Sequence, residues 1–115
     1  TDNVIAYLFA TLAGISKVGS YTGTESGNTI DCGFSSGARF VLIKRTDSSG
    51  DWYVWDSERG IVVGDDPYLL LNNTSPEVTN TDYILPDSSG FRMQAAAQNA
   101  GLNNIGGSYI FYAIA

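Results

Sequence analysis

Short apolar or alternating runs, each closed by a turn, organise this chain. They fall at Val4–Ala10, Ser16–Thr22, Thr29–Cys32, Arg39–Arg45, Trp52–Ser57, Tyr68–Leu71, Tyr83–Leu85, Phe91–Ala96 and Ser108–Ile114. All are short, and most are rich in Val, Ile, Tyr, Phe or Trp, residues that fit a pleated, half-buried surface. Between them lie Ser35-Ser36-Gly37, Asp47-Ser48-Ser49-Gly50, Arg59-Gly60, Gly64-Asp65-Asp66-Pro67 and Asp87-Ser88-Ser89-Gly90. Most of these combine an Asx or Ser cap with a Gly suited to positive φ. Strands at this spacing predict an all-β fold: a single-domain antiparallel β-sandwich, jelly-roll-like. Arg92–Ala100 (RMQAAAQNA) has the best helix composition in the chain. Gly90 before it and its short length leave helix and strand both open. The reading adopted is an edge strand that enters a loop at Gln98–Gly107.

The central hairpin departs from a sandwich with one wet face. Arg39–Arg45 and Trp52–Ser57 flank the turn Asp47-Ser48-Ser49-Gly50. Along the first strand Phe40 and Leu42 share one pleat face, and Val41 and Ile43 share the other. The second strand sets Trp52 and Val54 against Tyr53 and Trp55. A sandwich strand normally wets one side. Covering both sides calls for another layer, most simply a neighbouring subunit. Phe40, Val41, Leu42, Ile43, Trp52 and Tyr53 are therefore the expected core and oligomer interface.

The two ends of the chain resemble each other. Val4-Ile5-Ala6-Tyr7-Leu8-Phe9-Ala10 aligns with Tyr109-Ile110-Phe111-Tyr112-Ala113-Ile114-Ala115, sharing Ile, Tyr and the final Ala. Similarity at the period of one domain marks an array. Residues 1–12 are thus read as an N-terminal strand or linker, the end of a preceding unit, and residues 13–115 as the sandwich domain. Chance similarity of two apolar strands is the plainer alternative. Thr1-Asp2-Asn3 has neither an initiator Met nor the positive start of a signal peptide, and reads as the start of a processed product or slice.

Composition narrows the function. The 115 residues hold 12 Asp+Glu against 6 Lys+Arg, a net charge of −6, and no His. Phosphate binding needs a basic footprint, so nucleic acid and anionic membrane are not expected partners. No run approaches the ~20 apolar residues of a membrane span. Without His, Ser-His-Asp and Cys-His catalysis are absent, and a single Cys (Cys32) excludes a disulfide framework. No nucleophile has a base beside it, and the Gly-rich segments lack the Lys-Ser/Thr of a phosphate loop. The protein is not expected to be an enzyme or to carry a cofactor.

The strongest local chemistry is Asp51-Trp52-Tyr53-Val54-Trp55-Asp56-Ser57-Glu58-Arg59. Aromatic rings beside carboxylates and an Arg suit a sugar, whose apolar face stacks on rings while charged groups bind its hydroxyls. Trp52, Trp55, Asp56, Arg59 and Tyr68 are the candidate contacts. The same rings suit core and intersubunit packing equally well. Asp47, Ser49, Asp51 and Glu58 match calcium-loop positions 1, 3, 5 and 12, but Trp52 stands where that loop needs Gly. Asp65 and Asp66, before Pro67, are a more open carboxylate pair and a candidate for a weakly held surface cation, with a solvated turn the ordinary reading. Nearly all of the 12 acids, these two included, fall in turns, where they are expected to be solvated and unperturbed, so a glycosidase pair is not apparent.

Larger stretches carry a resemblance. Lys17-Val18-Gly19-Ser20-Tyr21-Thr22-Gly23, Cys32-Gly33-Phe34, Phe40 through Trp52, Ser88-Ser89-Gly90-Phe91 and the closing Tyr109–Ala115 together resemble a domain common in tail and fibre proteins of bacteriophages. The resemblance covers nearly the whole chain, with Arg92–Ala100 its least typical part. It implies a lectin-like β-sandwich in a fibre, a receptor-binding tip or a capsid decoration, frequently trimeric, and supplies no catalytic residues. The expectation is a virion structural module that self-associates as a homotrimer, contacts other virion proteins, and binds host cell-surface glycan in a tail fibre. Capsid decoration is the alternative, and polysaccharide depolymerase the remote one.

Overall fold

A computed structural model describes residues 1–115 throughout. Eight strands form: β1 (Ser16–Thr22), β2 (Asn28–Asp31), β3 (Phe40–Arg45), β4 (Tyr53–Asp56), β5 (Leu69–Leu70), β6 (Ile84–Asp87), β7 (Gly90–Met93) and β8 (Ser108–Ile114). They build two antiparallel sheets, a five-stranded one ordered β1-β8-β3-β4-β5 and a three-stranded one ordered β2-β7-β6. The chain is the all-β sandwich that the alternation predicts. The neighbours β1-β8-β3 and β2-β7 follow jelly-roll order. The β3–β4 hairpin then keeps β4 in the same sheet, where a full double Greek key would send it across.

Register sorts the side chains into rows. On the inner face Gly19, Phe111, Ile43, Tyr53 and Leu70 pair across the five-stranded sheet, and beside them run Ala113, Val41 and Trp55. Ile30, Ile84, Phe91 and Met93 meet them from the three-stranded sheet, with Phe34, Ala97 and Leu102 closing the core. Gly19 is needed here because a Cβ would come within 2.8 Å of the Phe111 ring. Phe91 meets Phe111 edge-on at 5.3 Å, the arrangement that ring quadrupoles favour.

Polar side chains tie the connections. Asn103 is fully buried; its carbonyl accepts the Thr24 N–H (3.0 Å), and its amide donates to the carbonyls of Ser26 (2.7 Å) and Gln94 (3.1 Å). One side chain thereby anchors the β1–β2 connection to the segment after β7. Asp47 accepts from Arg45 Nε (2.9 Å) and the Ser108 N–H (3.0 Å), joining the central turn to the start of β8. The Arg45 partner holds the Asp47 carboxyl down at about 2. That contact and the Asn72 amide on Asp51 (2.7 Å) occupy two of the supposed calcium-loop acids.

Three expectations change. Val4–Ala10 forms no strand. A strand needs a partner, and the adjoining free edge of β1 is closed at Val18, whose N–H donates to Thr11 Oγ1 (3.1 Å) while that hydroxyl donates to the Val18 carbonyl (3.4 Å). Where an edge strand is expected across Arg92–Ala100, β7 is instead the central strand of the three-stranded sheet and stops at Met93, and Ala95–Ala100 is a 3-10 helix ended by Gly101 at φ 73°. Consecutive Ala and Gln side chains have little to gain from a pleated surface, and the local propensity prevails. Trp52 lies just outside β4 and is 37% exposed, whereas Trp55 is 0% exposed.

The two tryptophans should therefore separate cleanly on mutation. Trp55→Ala is expected to cost about 3–5 kcal/mol and Trp52→Ala no more than about half of that. Urea titrations followed by far-UV circular dichroism measure both, and equal midpoints would contradict this assignment.

Candidate functional site

The outer face of the five-stranded sheet carries a second apolar row. Val18, Tyr112, Leu42, Val54 and Leu69 pair across all five strands, and Ile110, Ile114 and Phe40 flank them on the same face. No second sheet covers this side. The N-terminal arm does so in part: Phe9 stacks on Tyr112 with ring centroids 4.4 Å apart and planes 27° from parallel. Arm and sheet together line a shallow groove of about 320 Å3, mainly through Tyr7, Phe9, Val18, Leu42, Trp52 and Tyr112. Cover is incomplete. Val18 and Ile110 each remain 42% exposed, and Val4, Ile5 and Leu8 on the arm are 86–88% exposed. Apolar surface gathered in this way makes the outer face the candidate functional surface of the domain.

A second, polar cleft of about 390 Å3 opens where the free edges of β1 and β2 approach, lined by Lys17, Ser20, Thr22, Asn28, Thr29 and Asp31. The Asn28 amide donates to the Thr22 carbonyl (2.9 Å), so the mouth of this cleft is partly closed by its own residues.

The structure separates the proposed sugar contacts. Pleat alternation places Trp52 on the outer side, while Trp55 points into the core, stacked on Tyr53 at 5.7 Å. Tyr68 is also buried, against Tyr53 at 5.0 Å. Neither Trp55 nor Tyr68 can meet a ligand at the surface. Asp56 and Arg59 do reach it, but they engage each other and Glu77, with Arg59 Nε 3.5 Å from Asp56 and 3.3 Å from Glu77. The five residues therefore make no common platform. Of the expected interface set, Val41, Ile43 and Tyr53 belong to the core, whereas Phe40, Leu42 and Trp52 lie on the outer side.

Asp65 and Asp66 also part company. Asp65 is exposed and Asp66 is fully buried, so the pair does not offer two carboxylates to one cation, and no group of three or more acidic, Cys or His side chains converges as a metal site. Asp66 Oδ1 accepts the Val62 N–H at 2.7 Å, while Oδ2 has no partner. Burial, reinforced by nearby Asp82 and Asp65, pushes this carboxyl up to about 7, against the expectation of unperturbed acids. Asp66 lines neither groove, so its displaced titration follows from burial in the fold and gives no access to a substrate. Cys32 is similarly enclosed, and burial raises its thiol to about 11, well away from nucleophilic reactivity.

A pH dependence follows from Asp66. Its folded value lies above the ordinary carboxylate value of 3.8, so its contribution to stability is fully present below about pH 4 and is lost as pH rises to about 7. Asp47 and Asp87, both lowered by hydrogen bonds, act oppositely and lose their contributions as pH falls below 4. Stability is thus expected to decline between pH 5 and 8. Asp66→Asn, which keeps the acceptor for Val62 and does not titrate, should flatten that decline. Thermal unfolding of both proteins across this range is the check, and parallel curves would refute the role.

No curated protein and no solved structure matches the chain. A family match covers residues 1–115, the whole of the β-sandwich together with its arm. The chain belongs to that family, a domain of unknown function (DUF7483).

Proposed function

We propose that this domain is a non-enzymatic structural module of a bacteriophage virion, placed in a tail fibre, where it self-associates and so helps to present adhesive surface to the host. The observation that carries the reading is the five-stranded sheet, whose outer apolar row is buried at Val54 but remains 42% exposed at Val18 and at Ile110 beside it. Apolar area removed from water contributes about 25 cal/mol per Å2, and association is the means by which such a face leaves water. The resemblance to phage tail and fibre domains supports the setting. The acidic balance, −6 overall, also suits a particle surface better than a nucleic-acid partner.

Host attachment in this reading is collective. Trp52, Asp56 and Arg59 remain the surface residues available for weak glycan contact, and assembly multiplies whatever each copy binds. Burying the outer face does not require the glycan, so assembly comes first and adhesion depends on it.

Leu42→Lys, which charges the centre of the outer row, is expected to reduce self-association at least tenfold while leaving the far-UV spectrum unchanged. Sedimentation velocity over a concentration series measures the first effect. Mass spectrometry and labelled electron microscopy of particles from a phage that encodes the chain test the setting. Label on the tail supports the fibre, label on the shell favours capsid decoration, and absence from the particle defeats the proposal.

A further inference from the structure

We propose that Val4–Phe9 of one copy lies across the outer face of the five-stranded sheet of a second copy, so that neighbouring domains are joined by exchanged arms. This inference rests on the self-association proposed above and names the partner and the segment that makes the contact.

Complementarity between arm and face is already present within one chain. Phe9 stacks on Tyr112 at 4.4 Å, and Tyr7 reaches the groove beside Leu42 and Trp52. Whatever one arm does on its own sheet, an identical arm can do on a neighbour's, which is the basis of exchange between protomers. The fold makes this substitution easy. No backbone–backbone hydrogen bond involves residues 1–11. The arm is held by side chains at its base, where Ser16 Oγ donates to the Ala10 carbonyl (2.8 Å) and Thr11 engages Val18. A tight turn follows, with the Ser16 N–H on the Leu12 carbonyl (2.9 Å) and Gly14 at φ 75°. Release of the arm beyond Ala10 therefore disturbs no strand pairing.

The surplus on the arm supplies the reason for a second copy. Within one chain Val4, Ile5, Tyr7 and Leu8 stay 83–88% exposed, although Phe9 has found a ring to stack on. The arm carries more apolar surface than its own sheet covers, and the sheet retains exposed apolar side chains of its own. The arm's Ile5 and Tyr7 also stand in the same spacing as Ile110 and Tyr112, the β8 residues displayed on the face it would cover. A second identical domain brings the missing cover from both directions, because each copy offers one arm and receives one.

The test uses the full chain. One variant carries Phe9→Cys, a second, differently tagged variant carries Tyr112→Cys, and the mixture is treated with a short bis-maleimide; Cys32 is buried with its thiol raised to about 11. A cross-linked pair bearing both tags is the expected product. Light scattering on the untreated protein runs in parallel, as does the full chain with Tyr7→Asp and Phe9→Asp. That double variant is expected to keep its far-UV spectrum and fall to the single-chain mass of 12.3 kDa. An oligomer that survives both Asp substitutions and yields no mixed cross-link overturns arm exchange but leaves self-association intact. A wild-type chain that runs as a single copy overturns both.

Discussion

Two layers of apolar rows on one sheet have to be kept from water, and a three-stranded partner can shield only one of them. This constraint governs the molecule. The inner rows, through Ile43 and Phe111 and through Val41 and Trp55, are closed by Ile84, Phe91 and Met93. The outer row, Val18 to Leu69, is fixed by the same register, since moving either face by one residue would exchange it with the other. In an ordinary sandwich that slip is opposed by the contrast between an apolar and a polar face. Here both faces are apolar, and register rests on size and hydrogen bonds instead: Gly19 beneath the Phe111 ring, and Asp47 bridging Arg45 to the Ser108 N–H.

The paired strands at one margin of the five-stranded sheet, β1 and β8, were the most legible part of the chain. Ser16–Thr22 and Ser108–Ile114 emerge from alternation and bounding turns with the ends the structure gives them. Alternation alone could not place Val4–Ala10, which has a strand's composition but adjoins an edge, that of β1, already closed at Val18 by Thr11. Nor could it foresee that Tyr68–Leu71 would shrink to the two residues of β5. Strand formation is a property of pairs, and a single run does not name its partner.

The site was half legible for a similar reason. Apolar positions on both sides of β3 pointed to a layer beyond the sandwich, and the outer row bears out the two-sided character of the sheet. Grouping Trp52 with Trp55 ignored the period of two that separates them, and the buried position of Trp55 shows the consequence. Asn103 and Asp66 had no local signal. Asn103 finds partners 77 and 79 residues away, and the burial of Asp66 comes from chain segments that no turn motif reveals. Side chains satisfied at long range are what a linear reading loses first.

Sheet edges limit the form that the proposed association can take. An open edge invites indefinite strand addition, and natural sheets block it. Thr11 occupies both backbone groups of Val18 on β1, Asn28 takes the Thr22 carbonyl, and β5 is only two residues long, with the Asn72 side chain accepting the Trp52 N–H beside it. Growth by backbone pairing is thereby discouraged at both margins of the five-stranded sheet. In the proposed assembly, what remains is contact through side chains on the face of the sheet. The same Thr11 that closes the edge also sets the point from which the arm departs, so the residue that blocks strand addition also directs the arm toward the outer face.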